Sequence, residues 1–146
     1  ARGRQSLTMA GSHYPVTGAH AGPAPAHRVG IWLGARGPRM LHLLGTYADG
    51  WLPSLAFVPP EQLADLHARI DDAALAAGRA PSDINRIYNV WGAHSPQDWV
   101  EMLTEFTLEH GMNSYVFGAP PTESALRTIG EEIAPAVREA VATARG

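Results

Sequence analysis

The chain has 146 residues, 45% apolar and 17% charged, the balance of a folded globular segment rather than a disordered one. A formal charge of −3 supplies no basic field for a phosphate backbone, which argues against nucleic-acid binding. With no cysteine, a disulfide framework and thiol chemistry are both excluded.

No stretch approaches the roughly 18 continuous apolar residues of a membrane span, so no membrane partner is expected. Ala1-Arg2-Gly3-Arg4 is followed by polar residues and lacks a signal peptide's hydrophobic region, and the chain does not begin with methionine. The expectation is a soluble cytoplasmic protein cut from something longer.

Residues 1–28 are rich in glycine and proline and lack helical pattern. Two short extended pieces, around Ser6–Met9 and Tyr14–Thr17, flank Ala10-Gly11-Ser12-His13 and predict a loose hairpin. So long an irregular lead-in is expected to dock on something else. From residue 29 to 146 the pattern becomes regular. Val29-Gly30-Ile31-Trp32-Leu33-Gly34 is a short apolar run ended by glycine, which suits a strand buried on both faces. Pro38 opens a helix at its first position, with Leu41, Leu44 and Ala48 on one face.

Trp51-Leu52-Pro53-Ser54 predicts a brief second strand, weakened by Pro53, which cannot donate to a ladder. After Pro59-Pro60 comes a long helix with Leu63, Leu66, Ile70, Ala73 and Ala77 as its buried stripe and Gly78 past its end. Ser82 is expected to cap a short turn. Arg86–Trp91 follows as a third strand. Ser95-Pro96-Gln97-Asp98 combines a capping residue, a proline at the first helical position and a carboxylate three residues after the cap. Trp99, Leu103 and Phe106 form that helix's apolar face, and Gly111 ends it. Asn113–Phe117 is the fourth strand. Thr122 caps a last helix with the stripe Leu126, Ile129, Ile133, Val137 and Val141, which Pro135 should kink or split.

Strand and helix thus alternate four times, as βαβ units of a parallel sheet do. A doubly wound sheet and half of a (β/α)8 barrel both fit the order. A whole barrel needs about 250 residues.

Gly34-Ala35-Arg36-Gly37-Pro38-Arg39 lies where a buried strand hands over to a helix. Glycines let a ligand approach the backbone, helix-start N–H groups favour anions, and Arg36 and Arg39 could add charge-assisted bonds to phosphate. The same residues also read as a tight strand-to-helix turn.

The run Ile31 to Leu41, with Leu44-Gly45 and Tyr47-Ala48-Asp49-Gly50-Trp51, resembles the luciferase-like monooxygenase superfamily, and within it the branch that uses the deazaflavin coenzyme F420. The likeness continues through Ala76-Ala77-Gly78-Arg79-Ala80-Pro81, Ile84 to Asn89, Glu109-His110-Gly111-Met112-Asn113 and Ile133-Ala134-Pro135-Ala136-Val137-Arg138. Gly11-Ser12-His13-Tyr14-Pro15-Val16 and Pro23-Ala24-Pro25 resemble the family's excursion before its fifth strand.

The resemblance implies an α/β fold, the C-terminal half (strands five to eight) of a (β/α)8 TIM barrel, in an oxidoreductase using reduced coenzyme F420 or, alternatively, FMN. It also implies that the loop from Gly34 to Pro38 helps bind the cofactor's phosphate through backbone amides. Catalytic groups of the family's first four strands have no counterpart here, so catalytic residues are unassigned and this chain alone is expected to lack turnover. The family's sugar-phosphate branch carries a lysine after the Asp-Gly-aromatic element. Residues 49–57 contain none, which points to an apolar small-molecule substrate.

His13, His20 and His27 recur every seven residues, but in a stretch that holds no helical face. With no His-Glu-x-x-His and no cysteine, no metal site is expected. His94 and Trp91 follow the third strand, on the face where barrel active sites lie, and are candidate substrate contacts. The favoured reading of His94 is nonetheless a solvated loop histidine beside the helix cap at Ser95, and that of Asp49 a turn residue rather than an acid catalyst. The other tryptophans read as core, and Glu61, Glu101, Glu109, Glu131 and Glu132 as solvated surface. The competing functional expectation is a non-catalytic, self-associating half-barrel acting as a binding or assembly module. An open half-barrel exposes sheet edges and an apolar interior, so either reading predicts self-association or pairing with an N-terminal half.

Overall fold

The computed structural model describes residues 6–20, 22–118 and 122–146; the opening Ala1–Gln5 stretch of the Gly/Pro-rich lead-in lies outside them. β1 (Ser6–Met9) pairs antiparallel with β2 (Val16–His20), so the second extended piece lies further along the chain than the expected Tyr14–Thr17. The residues of this hairpin are almost all exposed.

The body is a four-stranded, all-parallel sheet in the order β3 (Trp32–Leu33), β4 (Gly50–Trp51), β5 (Asn85–Val90), β6 (Ser114–Phe117). Each strand is therefore the neighbour of the next in sequence. Helices α1 (Pro38–Tyr47), α2 (Leu63–Ala76) and α3 (Pro96–Leu108) make the crossovers. Because the strands are parallel, every loop leaving a strand emerges at the same carboxyl rim. Pro53 interrupts β4 without ending its pairing. Its carbonyl accepts from the Asn89 N–H (2.9 Å), and Ser54 then bridges Asn89.

Alternation along the strands divides the sheet. Trp51, Tyr88 and Val90, with Leu33, Tyr115 and Phe117 beside them, join the core under the helices. There they meet Leu41 and Leu44 of α1, Leu63, Ile70 and Ala74 of α2, and Leu103 and Phe106 of α3. The alternate positions face the other way, and Trp32 is 51% exposed there despite its expected core position. Trp32 closes over Gly50 against Ile87, where a Cβ on Gly50 would stand 2.7 Å from the indole. Gly45 does similar work between helices: a Cβ there would lie 2.5 Å from the Ile70 carbonyl oxygen, so α1 and α2 touch backbone to backbone.

Helix ends mostly follow the expected chemistry. Ser95 accepts from the Asp98 N–H while the Asp98 carboxylate accepts from the Ser95 N–H, both at 3.2 Å. Thr122 caps α4 (Glu123–Arg127) by accepting from Ala125. Gly78 and Gly111 take positive φ just beyond their helices. Ser82 is a different case. It lies inside a 3-10 turn (Pro81–Asp83) that Asp83 closes by accepting from the Ala80 N–H.

Two stripe positions also differ. Ala77 is exposed and Ala74 buried in its place, because the last turn of α2 rotates past the core. Leu126 is exposed, since α4 precedes the segment that packs. Between α4 and α5 (Ala134–Arg145) the backbone makes a π-helical segment, Thr128–Ile133. Pro135 supplies the reason, having no N–H to return to the preceding turn.

Candidate cofactor cradle at the carboxyl rim

The residues from Gly34 to Arg39 leave β3 at the carboxyl rim and enter α1. Gly37 is the N-cap residue, in extended conformation (φ −76°, ψ 147°), with Pro38 at the first helical position and no side-chain cap. The first bond into this turn is Leu41 N–H to the Gly37 carbonyl at 3.0 Å. The amides of Arg39 and Met40 therefore have no intrahelical acceptor. Among the described residues, nothing lies within 4 Å of a Cβ built on Gly37. Gly34 is more confined, its Cβ position 3.0 Å from the Leu52 carbonyl oxygen.

The two residues between these glycines face opposite ways. Ala35 is buried in the core, and its carbonyl accepts from the Trp51 indole N–H at 2.9 Å. Arg36 is exposed; its Nη1 donates to the Phe57 carbonyl at 3.1 Å and its guanidinium lies 5.7 Å from the Phe57 ring centre. Arg36 and Gly34 line a cleft of about 220 Å³ with Leu52, Pro53, Ser54, Phe57 and Val58. None of these residues is acidic. Arg39 is exposed on the first turn of α1 and does not line the cleft.

Trp91 and His94 sit at the same rim beyond β5, outside that cleft. The Trp91 indole occupies the place a side chain on Gly118 would take, with Nε1 1.7 Å from a built Cβ. It remains 40% exposed. Gly92 has φ 140°, and the His94 ring folds back over it. His94 meets Trp99 edge to face at 4.7 Å, and Trp99 meets Phe117 likewise at 5.0 Å. The expected site residues thus form two groups on one rim, the cradle after β3 and an aromatic lip after β5.

Asp49 is at the opposite rim and serves structure. Its carboxylate accepts from the Ile31 N–H at 2.9 Å and pairs with Arg28, and the Ile31 bond leads the causes that hold its pKa below the usual carboxylate value. Sequence reasoning missed Ser54 and Phe57, since a serine and a phenylalanine in a proline-rich loop carry no signal of their own. It also missed a buried polar group. Arg86 is 6% exposed and paired with Asp71, yet among the described residues its Nη1 has no partner, and neither has the buried Nε2 of His67. Burial, then the Arg86 charge, pushes the His67 pKa down to about 4. Glu105, Glu109 and His110 bring ligand atoms within 4.8 Å of one another, but both glutamates are exposed. Among the described residues no helix is long and apolar enough to cross a membrane.

Known proteins resemble this chain in sequence or in fold. The phthiodiolone/phenolphthiodiolone dimycocerosates ketoreductase of Mycobacterium tuberculosis is 44% identical over 54 residues, 37% of this chain and 14% of that protein. The F420-dependent glucose-6-phosphate dehydrogenase of Microbacterium testaceum is 28% identical over 92 residues, 63% of this chain and 27% of that protein. An F420-dependent secondary alcohol dehydrogenase, solved with an F420–acetone adduct, superposes on 95% of this chain with a TM-score of 0.52 at 22% identity. This chain spans 48% of that dehydrogenase's length. The model of the family described as luciferase-like monooxygenase matches residues 1–145. That match, over nearly the whole chain, makes it a member of the luciferase-like monooxygenase family.

Proposed function

We propose that the chain forms strands five to eight of a (β/α)8 barrel in an F420-dependent oxidoreductase and carries the loop that holds the cofactor's phosphate. The observation that carries this reading is the strand-to-helix turn at Gly34–Arg39, an open anion-accepting backbone on the carboxyl rim of a sequentially ordered parallel sheet. The names of the glucose-6-phosphate dehydrogenase and alcohol dehydrogenase relatives support F420 over FMN.

The residues present fit such a group. Gly37 leaves room for a phosphate, the Arg39 and Met40 amides supply donors, Arg36 supplies charge, and the neighbouring cleft holds no carboxylate. When bound, the deazaflavin supplies hydride chemistry, while the protein orients it and limits water. Trp91 and His94 of the aromatic lip would offer contacts to an apolar substrate. The free edges of β3 and β6, and exposed Val29, Ile31, Trp32 and Val116, call for a covering chain, either a second copy or the barrel's other half.

Titration of the purified chain with coenzyme F420 and with FMN tests the reading. Tighter binding of F420, weakened by inorganic phosphate, is the expected result; binding of FMN alone would reverse the cofactor assignment. On size exclusion at micromolar concentration, a clean monomer would count against the association.

A further inference from the structure

Phe57 is a bulky apolar side chain left 64% exposed, and the structure gives it one polar neighbour of note, Arg36. That arginine is held twice by the same residue. Its Nη1 donates to the Phe57 carbonyl at 3.1 Å, and its guanidinium carbon lies 5.7 Å from the ring centre. No other hydrogen bond engages the Arg36 side chain among the described residues, so Nε and Nη2 keep their donors. An unheld arginine on a surface loop samples many rotamers, and ordering it on binding costs affinity.

The two residues belong to different loops, one following β3 and the other following β4. Between these loops lies the cleft of about 220 Å³, with Ser54 among the residues on its wall. Cavities that take whole ring-bearing ligands run from about 300 Å³ upward, so this one suits a single small group such as phosphate.

We infer that Phe57 is a positioning residue for phosphate. It holds the Arg36 guanidinium at the cleft, so that the loop after β4 forms the second wall of the cradle begun by the loop after β3. The inference rests on the phosphate-loop reading above and extends it to a residue with no polar side chain. Arginine is required in this arrangement, because its planar guanidinium can bond the carbonyl and lie against the ring together; a lysine ammonium would keep the charge and lose the plane.

The test is a double-mutant cycle on the full chain, with coenzyme F420 and inorganic phosphate as separate probes and thermal melting as the check on folding. Arg36→Ala should weaken binding about ten-fold or more. Phe57→Ala should weaken it about two- to five-fold, the range for an exposed cation–ring contact. In the Arg36→Ala background, Phe57→Ala should have no further effect. Phe57→Tyr should restore affinity, and Phe57→Leu, which keeps the bulk and loses the ring face, should not.

If Phe57→Ala leaves affinity unchanged in a chain that binds both probes, or if the two substitutions add in full, the positioning role is refuted and the phosphate loop stands. If the unaltered chain binds neither probe, the phosphate-loop reading fails and this inference falls with it.

Discussion

Replacing Gly45 by alanine adds one methyl group where α1 crosses α2. The new Cβ would stand 2.5 Å from the Ile70 carbonyl oxygen, 2.6 Å from the Ala73 Cβ and 3.0 Å from the Ala74 amide nitrogen. Favourable carbon contacts lie at about 3.5–4.0 Å, so each of the first two is about 1 Å too close. Two of the three atoms are backbone and cannot rotate away. The helices must part instead, loosening Leu41 and Leu44 against Ile70 and Ala74, all buried in one core. Overpacking of this kind costs about 1–3 kcal/mol, occasionally more.

Contacts this short put the cost in the upper half of that range, about 2–3 kcal/mol, and alanine recovers up to about 1 kcal/mol in helix propensity, which leaves a net loss of roughly 1–2 kcal/mol. In a domain of this size that lowers the melting temperature by roughly 2–8 °C. Gly130 provides the control. It lies in the π-helical segment with nothing within 4 Å of its Cβ position, so Gly130→Ala should be neutral or stabilising. Urea denaturation followed by circular dichroism measures both. Gly45→Ala as stable as the unaltered chain would refute the backbone-contact argument.

Arg79 donates to the Gly45 and Ala48 carbonyls at 2.9 and 2.8 Å, closing the carboxyl end of α1 from another loop, so Arg79→Ala should cost about 1–3 kcal/mol in the same denaturation assay. His67 has its pKa lowered from 6.5 to about 4, so the unfolded chain binds this proton more readily than the folded one. Its contribution to stability is complete above pH 6.5 and falls away as the pH drops towards 4, by roughly 1–2 kcal/mol after allowing for partial exposure; His67→Gln should flatten that dependence in pH-stepped unfolding. Gly118→Ala must expel the Trp91 indole from its place at the end of β6. Greater acrylamide quenching of tryptophan emission should follow, and should vanish in a Trp91→Phe background.

The local half of the structure was readable because its causes are local. Ser95 and Asp98 bond each other three residues apart, Pro38 needs no partner for its missing N–H, and Pro135 forces a local rearrangement whatever surrounds it. The alternation of strand and helix followed from apolar periodicity, which depends only on the geometry of each element. The candidate cradle was legible for the same reason, since a glycine-bounded turn between strand and helix frees amides wherever it occurs.

What remained illegible depends on which chain segments meet. Trp32 and Trp51 look alike in sequence, yet adjacent sheet register turns one to the uncovered face and the other into the core. Ala35 and Arg36 are neighbours in a single loop, but Trp51 draws one inward while Phe57, 21 residues on, holds the other at the cleft. Composition and periodicity determined the succession of parallel units and the turn that begins the cradle. Only the tertiary structure decided the Arg36–Phe57 contact, the seat of Trp91 against Gly118 and the buried Arg86–Asp71 pair, because those contacts join residues far apart in the chain that no local preference brings together.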